Sequence, residues 1–325
     1  MTVTLEVDGR GVEVPEGASV LDAVNWSGTY ISQLCKDPDM RPIGACRTCL
    51  VQIDGVRGFP ASCSVPATDG MKVSIDSPEA TDIRRGVLEL TLGMFPEDGV
   101  GGSDDYRELS VAARRHGIDT ARWGGRVREA VDVSNPVFNI AMESCILCGR
   151  CAQACQEGHQ FIGAIDFLGS GQSSRIGTFM DRPLVESVCT TCGQCLSVCP
   201  TGAIQVKAEP KPAVKTVTTT CPYCGVGCGI QAKVDESERI MEMLDDPDNQ
   251  SSLGMLCVKG RFGYTFVHHQ DRITSPLVRR EGELVPVSWD SALDYVTERL
   301  AQYRGDSFAT LCSAKATNED GYIQQ

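Results

Sequence analysis

The chain has 325 residues, 42% of them hydrophobic and 22% charged, and 17 are cysteines. Thirty basic against 43 acidic side chains give a net charge of −13, which argues against a nucleic-acid or anionic-membrane partner. No apolar run approaches the ~20 residues needed to span a bilayer. The alternating, charged opening MTVTLEVDGRGVEVPEGASV reads as a mature N-terminus rather than a secretory signal. Together these features predict a cytoplasmic protein whose cysteines serve metal rather than disulfides.

In chain order, Val3, Leu5 and Val7 alternate, Asp8-Gly9 signals a hairpin turn, and Val12 and Val14 continue a second strand. Ser19 is placed to cap a helix through Leu21 and Val24. A glycine-containing loop follows, then an alternating strand from Leu50 to Ile53. Cys35, Cys46, Cys49 and Cys63 fall in this β-rich stretch as C-x10-C-x2-C-x13-C. That pattern suits a [2Fe–2S] cluster, with a first gap longer than the plant-type spacing. Helices are predicted from Glu79 to Met94 and from Tyr106 to His116, with His116 a helix C-terminal residue rather than a ligand.

Two runs of C-x2-C-x2-C-x3-C come next, Cys145, Cys148, Cys151, Cys155 and Cys189, Cys192, Cys195, Cys199, the second ending in Cys199-Pro200. In two-cluster bacterial ferredoxins the fourth cysteine of a run ligates the other cluster. The expected [4Fe–4S] sets are therefore Cys145, Cys148, Cys151 with Cys199, and Cys189, Cys192, Cys195 with Cys155. Zinc is the alternative for C-x2-C pairs, although two tetrahedral zinc sites normally use fewer closely spaced cysteines. Cys221, Cys224 and Cys228 then form C-x2-C-x3-C, and Cys257 follows after 28 intervening residues, a further [4Fe–4S] pattern. The glycines around it let backbone amides approach cluster sulfurs.

Beyond it, His268 and His269 sit in a hydrophilic connection and are expected at the surface. Ser288 should cap an amphipathic helix to about Tyr303, and Phe308 to Ser313 reads as a small apolar strand burying an inert Cys312. No Walker or dinucleotide-type glycine loop is present, so no NAD or FMN site is expected.

The segments PIGACRTCLVQI and FPASCSVPATDGMKV resemble the [2Fe–2S] domain that opens the complex I large iron–sulfur subunit, iron-only hydrogenases and cytoplasmic NAD-linked formate dehydrogenases. Those relatives continue with a cluster held by one histidine and three cysteines. The corresponding positions here are Phe95, Gly99, Gly102 and approximately Arg107. The resemblance therefore implies a helical scaffold without its cluster.

TTTCPYCGVGCGI and GMLCVKGRFGY resemble the opening of molybdenum or tungsten bis-pterin enzymes. FVHHQDRITSPLVRREGELVPVSWDSALDYV and Ala314 to Glu319 read most like formate dehydrogenase catalytic subunits. The resemblance implies that Lys259 lies between cluster and pterin as an electron-relay and cofactor-binding residue; an exposed lysine after a metal ligand is the alternative. It also places the metal-bound selenocysteine or cysteine, its histidine and a distant arginine beyond the Asn318-Glu319 block, so no catalytic residue is expected among these 325.

The predicted fold class is α+β, a string of small modules. Residues 1–78 form a β-grasp [2Fe–2S] ferredoxin domain and 79–134 a helical spacer whose site for one histidine and three cysteines is degenerate. Residues 135–210 form a two-[4Fe–4S] ferredoxin, 216–272 the [4Fe–4S] domain of a molybdopterin oxidoreductase, and 273–325 the start of its α/β body. The predicted cofactors are one [2Fe–2S] and three [4Fe–4S] clusters. A molybdenum or tungsten bis-molybdopterin guanine dinucleotide is expected at the interface with the remaining catalytic portion or subunit.

The implied function is the electron-transfer chain of a formate dehydrogenase interconverting formate and CO2. Electrons would pass to a flavin- or NAD-linked or other acceptor subunit. The alternatives are a relay subunit of a complex-I-like or hydrogenase complex without molybdenum or tungsten, and a zinc-stabilised interaction scaffold.

Overall fold

In a computed structural model of the chain, residues 1–95, 108–124, 128, 130–207 and 212–325 are described. Two units, Met1–Glu209 and Pro210–Gln325, are each internally packed. No helix among the described residues is long and apolar enough to cross a membrane.

The first unit opens with strands β1 (Thr2–Val7) and β2 (Arg10–Pro15), paired antiparallel through the Asp8-Gly9 turn. Both turn residues have positive φ, 47° and 80°, the geometry that an Asp-Gly hairpin supplies with least strain. Helix α1 (Val20–Trp26) starts at a capping box in which the Ser19 hydroxyl and the Asp22 carboxylate each accept from the other's backbone N–H. Strands β3 (Gln52–Ile53) and β4 (Lys72–Ser74) complete a four-stranded sheet in the order β2-β1-β4-β3, with β1 and β4 parallel. The core under α1 joins Leu5, Val7, Val14, Leu21, Val24, Val51 and Val73 to Cys49 and Cys63. The alternation predicts the β1–β2 hairpin, and the sheet built on it is the β-grasp arrangement expected of residues 1–78.

Helix α2 (Pro78–Leu92) begins at Ser77, which accepts from Ala80 N, with Pro78 in the first turn where its lost N–H costs nothing. Its Arg84 is 3% exposed and donates to Leu50 O and Ile75 O, both at 2.8 Å, tying the helix to the sheet. Helix α3 (Glu108–Arg115) packs Leu109, Ala112 and Ala113 into a core with Leu88, Leu92 and Phe95. Phe95 is therefore a core residue where the resemblance has a histidine ligand. Gly99, Gly102 and Arg107, like Tyr106 at the predicted start of α3, lie outside the described residues. His116 follows the last turn of α3, its N–H bonded to Ala112 O.

The next module is built from short pieces. Strands β5 (Val131–Asp132) and β6 (Phe138–Ala141) pair antiparallel. Helix α4 (Arg150–Gln153) runs into a wider turn over Ala154–Gly158. Strands β7 (Asp166–Leu168) and β8 (Arg175–Gly177) form a hairpin, and α5 (Gln194–Ser197) precedes β9 (Ile204–Val206). Strand β9 pairs with β6, opposing Ile140 and Ile204.

The second unit contains an antiparallel sheet of β10 (Lys215–Thr220), β11 (Gly229–Val234) and β12 (Ile240–Asp245). Helix α6 (Val258–Phe262) follows Cys257, and a hairpin joins β13 (Leu277–Arg280) to β14 (Glu283–Pro286). Helix α7 (Trp289–Leu300) is capped by Ser288, which accepts from Ser291 N, and α8 (Asn318–Gln324) is capped by Thr317. The amphipathic pattern of α7 is real, yet its apolar face is open: Trp289, Leu293, Val296 and Leu300 are all exposed. Residues 308–313 form no strand. Cys312 is exposed, correcting the expectation of a buried thiol. Without a paired neighbour, an apolar run cannot hold a strand's backbone hydrogen bonds.

The mixed helix and strand content, in modules strung along the chain, is the α+β class read from the sequence.

Candidate metal centres

All 17 cysteines are free thiols, and sixteen of them gather in fours. In the β-grasp module, Cys35, Cys49 and Cys63 are buried and Cys46 half-buried. The loop carrying Cys46 turns at Gly44, whose φ is +68° and where a Cβ would stand 3.1 Å from Ser64 Oγ, so this close approach needs glycine. The Cys46 N–H points at Cys35 Sγ, 3.4 Å away, and Cys46 Sγ lies 3.2 Å from Thr48 Oγ1.

The four thiols form two hydrogen-bonded pairs. The hydrogen bond from Cys35 brings Cys46 down to about 6, and the bond from Cys49 does the same for Cys63, while the donor thiols of each pair are pushed up.

The next two groups interleave. Cys145, Cys148, Cys151 and Cys199 line one apolar cavity with Met142, Ile146 and Ile176. Cys155, Cys189, Cys192 and Cys195 line another with Phe138, Ile162 and Leu184. Ile140 forms part of both walls.

The backbone repeats as well. Leu147 and Thr191, each just before the second cysteine of its run, have φ of 56° and 57°, and Gly149 and Gly193, just after it, have 82° and 78°. This double reversal turns amides onto sulfur: Leu147 N lies 3.4 Å from Cys145 Sγ and Thr191 N lies 3.3 Å from Cys189 Sγ. Ala164 N reaches Cys155 Sγ at 3.2 Å. Such concave runs of N–H groups favour anionic ligands.

Burial, with crowding by neighbouring sulfurs, pushes Cys145 up to about 11 and Cys148 up to about 12, and raises Cys151, Cys189 and Cys195. Four thiolates in an apolar cavity are unfavourable unless cations balance them. The donor set, the apolar lining and the inward amides fit an iron–sulfur cluster in each cavity.

In the second unit, Cys221 N donates to Cys228 O at 2.8 Å, closing a loop at the end of the β10–β11 pair. Burial raises Cys228, followed by the proximity of Cys221, Cys224 and Cys257. All four sulfurs therefore share one locality. A Cβ at Gly260 would stand 3.5 Å from Cys221 Sγ, so α6 lies directly on this group. Cys224 and Cys257 are exposed, and so is Lys259, two residues past Cys257 on α6. Arg261 on the same helix is 3% exposed and pairs with Asp245 at 2.9 Å. His268 and His269 are exposed, and His268 Nε2 accepts from Ile240 N at the start of β12.

Cysteine spacing alone brings out the groups. It misses the left-handed residues Leu147 and Thr191 and the buried Arg150. Only the repeated C-x2-C-G motif, CILCGRC and CTTCGQC, hinted that the glycines carry a shared turn.

Four families match consecutive stretches. The 2Fe-2S iron-sulfur cluster binding domain matches residues 1–78 and the 4Fe-4S dicluster domain 139–206. The molybdopterin oxidoreductase Fe4S4 domain matches 214–269, and molybdopterin oxidoreductase matches 272–325. A subunit of an NADH-quinone oxidoreductase from Rhizobium meliloti is 32% identical over 98% of this chain and 38% of its own length. The alpha subunit of an NADPH-Fe(3+) oxidoreductase from Geobacter sulfurreducens is 31% identical over 99% of the chain and 38% of its own length. A Staphylococcus haemolyticus protein, named only as a candidate formate dehydrogenase, is 28% identical over 100% of the chain and 37% of its own length. The chain thus spans well under half of each of these relatives. Among solved structures, an NAD+-reducing [NiFe]-hydrogenase superposes with a TM-score of 0.59 at 28% identity, covering 66% of this chain and 92% of that one.

Proposed function

We propose that the sixteen grouped cysteines hold a series of clusters in a formate dehydrogenase-type complex of the molybdopterin oxidoreductase family, a reading supported by the iron–sulfur and pterin-associated domains that match successive stretches of the chain. Cys35, Cys46, Cys49 and Cys63 would hold a [2Fe–2S] cluster. Cys145, Cys148, Cys151 and Cys199, then Cys155, Cys189, Cys192 and Cys195, and finally Cys221, Cys224, Cys228 and Cys257 would each hold a [4Fe–4S] cluster. The interleaving of the two middle groups around two apolar cavities carries this reading. Bound clusters supply one-electron redox capacity.

The chain's own residues do the rest. Phe138, Ile140, Met142 and Leu184 keep water from the sulfurs. The amides of Cys46, Leu147, Ala164 and Thr191 offer hydrogen bonds to sulfur, which favour the reduced state. Lys259, exposed beside Cys257, is available as a contact toward the pterin of a catalytic portion. The complex as proposed is cytoplasmic, with a bis-pterin molybdenum or tungsten part at one end and a flavin- or NAD-linked acceptor at the other.

A second reading is a relay serving an NADH-linked complex without molybdenum or tungsten. It is favoured by the higher identity to the NADH-quinone oxidoreductase relative.

Anaerobic purification with native partners, followed by iron, sulfide and Mo/W assay and formate-dependent dye reduction, separates the readings. The cluster reading expects about 14 iron per chain, and zinc without sulfide would overturn it. Abundant iron and sulfide without Mo or W in the intact complex would replace the formate reading with the relay.

A further inference from the structure

Arg150 is a buried charged side chain of the first unit. It is 6% exposed and sits within the first run of cysteines, two residues after Cys148 and one before Cys151. Its guanidinium grips the Glu108 carboxylate of α3 at 2.7 and 2.8 Å, and reaches Asp37 Oδ2 at 3.4 Å. Asp37 is itself 5% exposed and stands two residues after Cys35. One cation therefore joins three segments: the loop of the β-grasp site, the spacer helix and the first run of the two-cluster module.

The loop and the run are in contact on several sides. Cys35 and Cys148, one from each proposed site, belong to the same buried core, with Cys46 packed against it. Gln153 Nε2 donates to Arg41 O at 2.9 Å. A Cβ on Gly149 would meet Ile43 Cδ1 at 3.2 Å. Asp37, Asp39 and His159 converge nearby. Of these, Asp37 is paired with Arg150, and the Lys36 ammonium holds the loop through the carbonyls of Asp37, Pro38 and Met40.

We propose that Arg150 is the positioning residue of the junction between the Cys35/Cys46/Cys49/Cys63 and Cys145/Cys148/Cys151/Cys199 sites, fixing their separation and keeping positive charge beside the second. The proposal rests on the cluster reading above. With Nη1 donating to both Glu108 oxygens and Nη2 to Asp37, the guanidinium is held between two carboxylates and its position at the junction is set by the fold. Reduction adds one electron to a cluster and no proton is required at this junction. A buried positive charge favours that added charge, and a buried carboxylate opposes it, because screening is weak away from water. Glu108 and Asp37 do not cancel Arg150 at every point: Arg150 lies on the Cys148 side and Asp37 on the Cys35 side.

The test is a spectroscopically monitored redox titration of the cluster-loaded chain and its variants. Arg150→Met should shift the oxidised-to-reduced ratio of the [4Fe–4S] cluster toward oxidised by about tenfold, equivalent to about 59 mV for a one-electron couple. Asp37→Asn should move the [2Fe–2S] ratio the opposite way. Arg150→Lys should restore the [4Fe–4S] potential but not the magnetic coupling between the two reduced clusters, because a lysine keeps the charge and loses the fork. Where Arg150→Met fails to assemble clusters, the Lys and Asn variants carry the same comparison. Potentials within twofold of the parent ratio, or shifts of the same sign in Arg150 and Asp37 variants, would overturn the proposal. Absence of iron and sulfide from the parent chain itself would instead bring down the cluster reading, and this inference with it.

Discussion

The two-cluster module and the four-cysteine group of the second unit use the same residue type in opposite settings. In the first, Cys148 and Cys151 are buried, and the sulfurs line cavities whose walls are the module's own core. In the second, Cys224 and Cys257 are exposed beside a sheet that has a core of its own, Ile230, Ala232, Met243 and Leu256 with Cys221. A site that is the core cannot be emptied without removing what the surrounding chain packs against. A site at the edge of a core can be. The contrast separates clusters that hold a fold together from a cluster that a fold presents.

The largest expected difference follows from emptying the sites. Anaerobic chelation should melt residues 135–207, read as loss of amide-exchange protection at Phe138 and Ile204, while β11 and β12 stay protected. Cys151→Ser should act in the same direction, costing one cluster, about 4 of about 14 iron, together with the module's cooperative transition. Cys257→Ser should cost the same iron and leave the sheet transition in place. Equal loss of protection in both regions would erase the distinction.

Phe138→Ala comes next. Phe138 is 1% exposed, lies on β6 and walls the Cys155/Cys189/Cys192/Cys195 cavity. Its truncation should cost about 3–5 kcal/mol and speed cluster loss in air, because the void opens toward sulfur. Denaturant unfolding measures the first effect and bleaching of the cluster absorbance the second. An unaltered bleaching rate would show that the wall does not guard the site.

Gly149→Ala tests the local turn. This glycine has φ +82°, and a Cβ would sit 3.1 Å from Phe167 Cζ. The left-handed conformation alone should cost about 1–2 kcal/mol, with the crowding added. Gly225→Ala, between two cysteines of the second unit, meets only a carbonyl oxygen at 3.9 Å and should stay within about 0.5 kcal/mol. Equal thermal shifts for the two would mean that the paired reversals at Leu147/Gly149 and Thr191/Gly193 carry no structural weight.

What the sequence revealed was local. The Asp8-Gly9 hairpin, the Ser19 and Ser288 caps and the grouping of cysteines in fours all depend on near neighbours, and each reads directly from spacing. The features it concealed depend on distant residues. Arg150 meets Glu108 and Asp37, 42 and 113 positions away, and nothing near CGRC distinguishes it from a solvated arginine. Leu147 and Thr191 adopt positive φ although neither type favours it, so propensity points the wrong way and only the packing of the run imposes the turn. Cys312 failed for the converse reason: its apolar neighbours resemble a buried strand, but a strand needs a partner that the sequence of the segment cannot supply.

The smallest expected effect belongs to an ion pair of the second unit exposed at both ends, set against one of the first whose cation is buried. The Arg150 side chain is 7% exposed and meets Glu108, itself 46% exposed, at 2.7 Å, whereas Lys233 and Glu242 meet at 2.9 Å across β11 and β12 with side chains 37% and 41% exposed. Glu108→Gln leaves a buried cation short of its counter-charge and should cost about 1–3 kcal/mol. Lys233→Gln removes a pair that water and salt already screen, and should cost about 0–1 kcal/mol. Raising the salt to about 1 M should abolish the Lys233 effect, since the screening length then falls to about the pair's own separation, but should reduce the Glu108 effect only in part, because its carboxylate is half-exposed while its cation is buried. Measuring both variants at low and high salt therefore tests the contrast without disturbing a cysteine. If the Glu108 effect were as salt-sensitive as the Lys233 effect, burial of the Arg150 cation would give the pair no protection from water and salt.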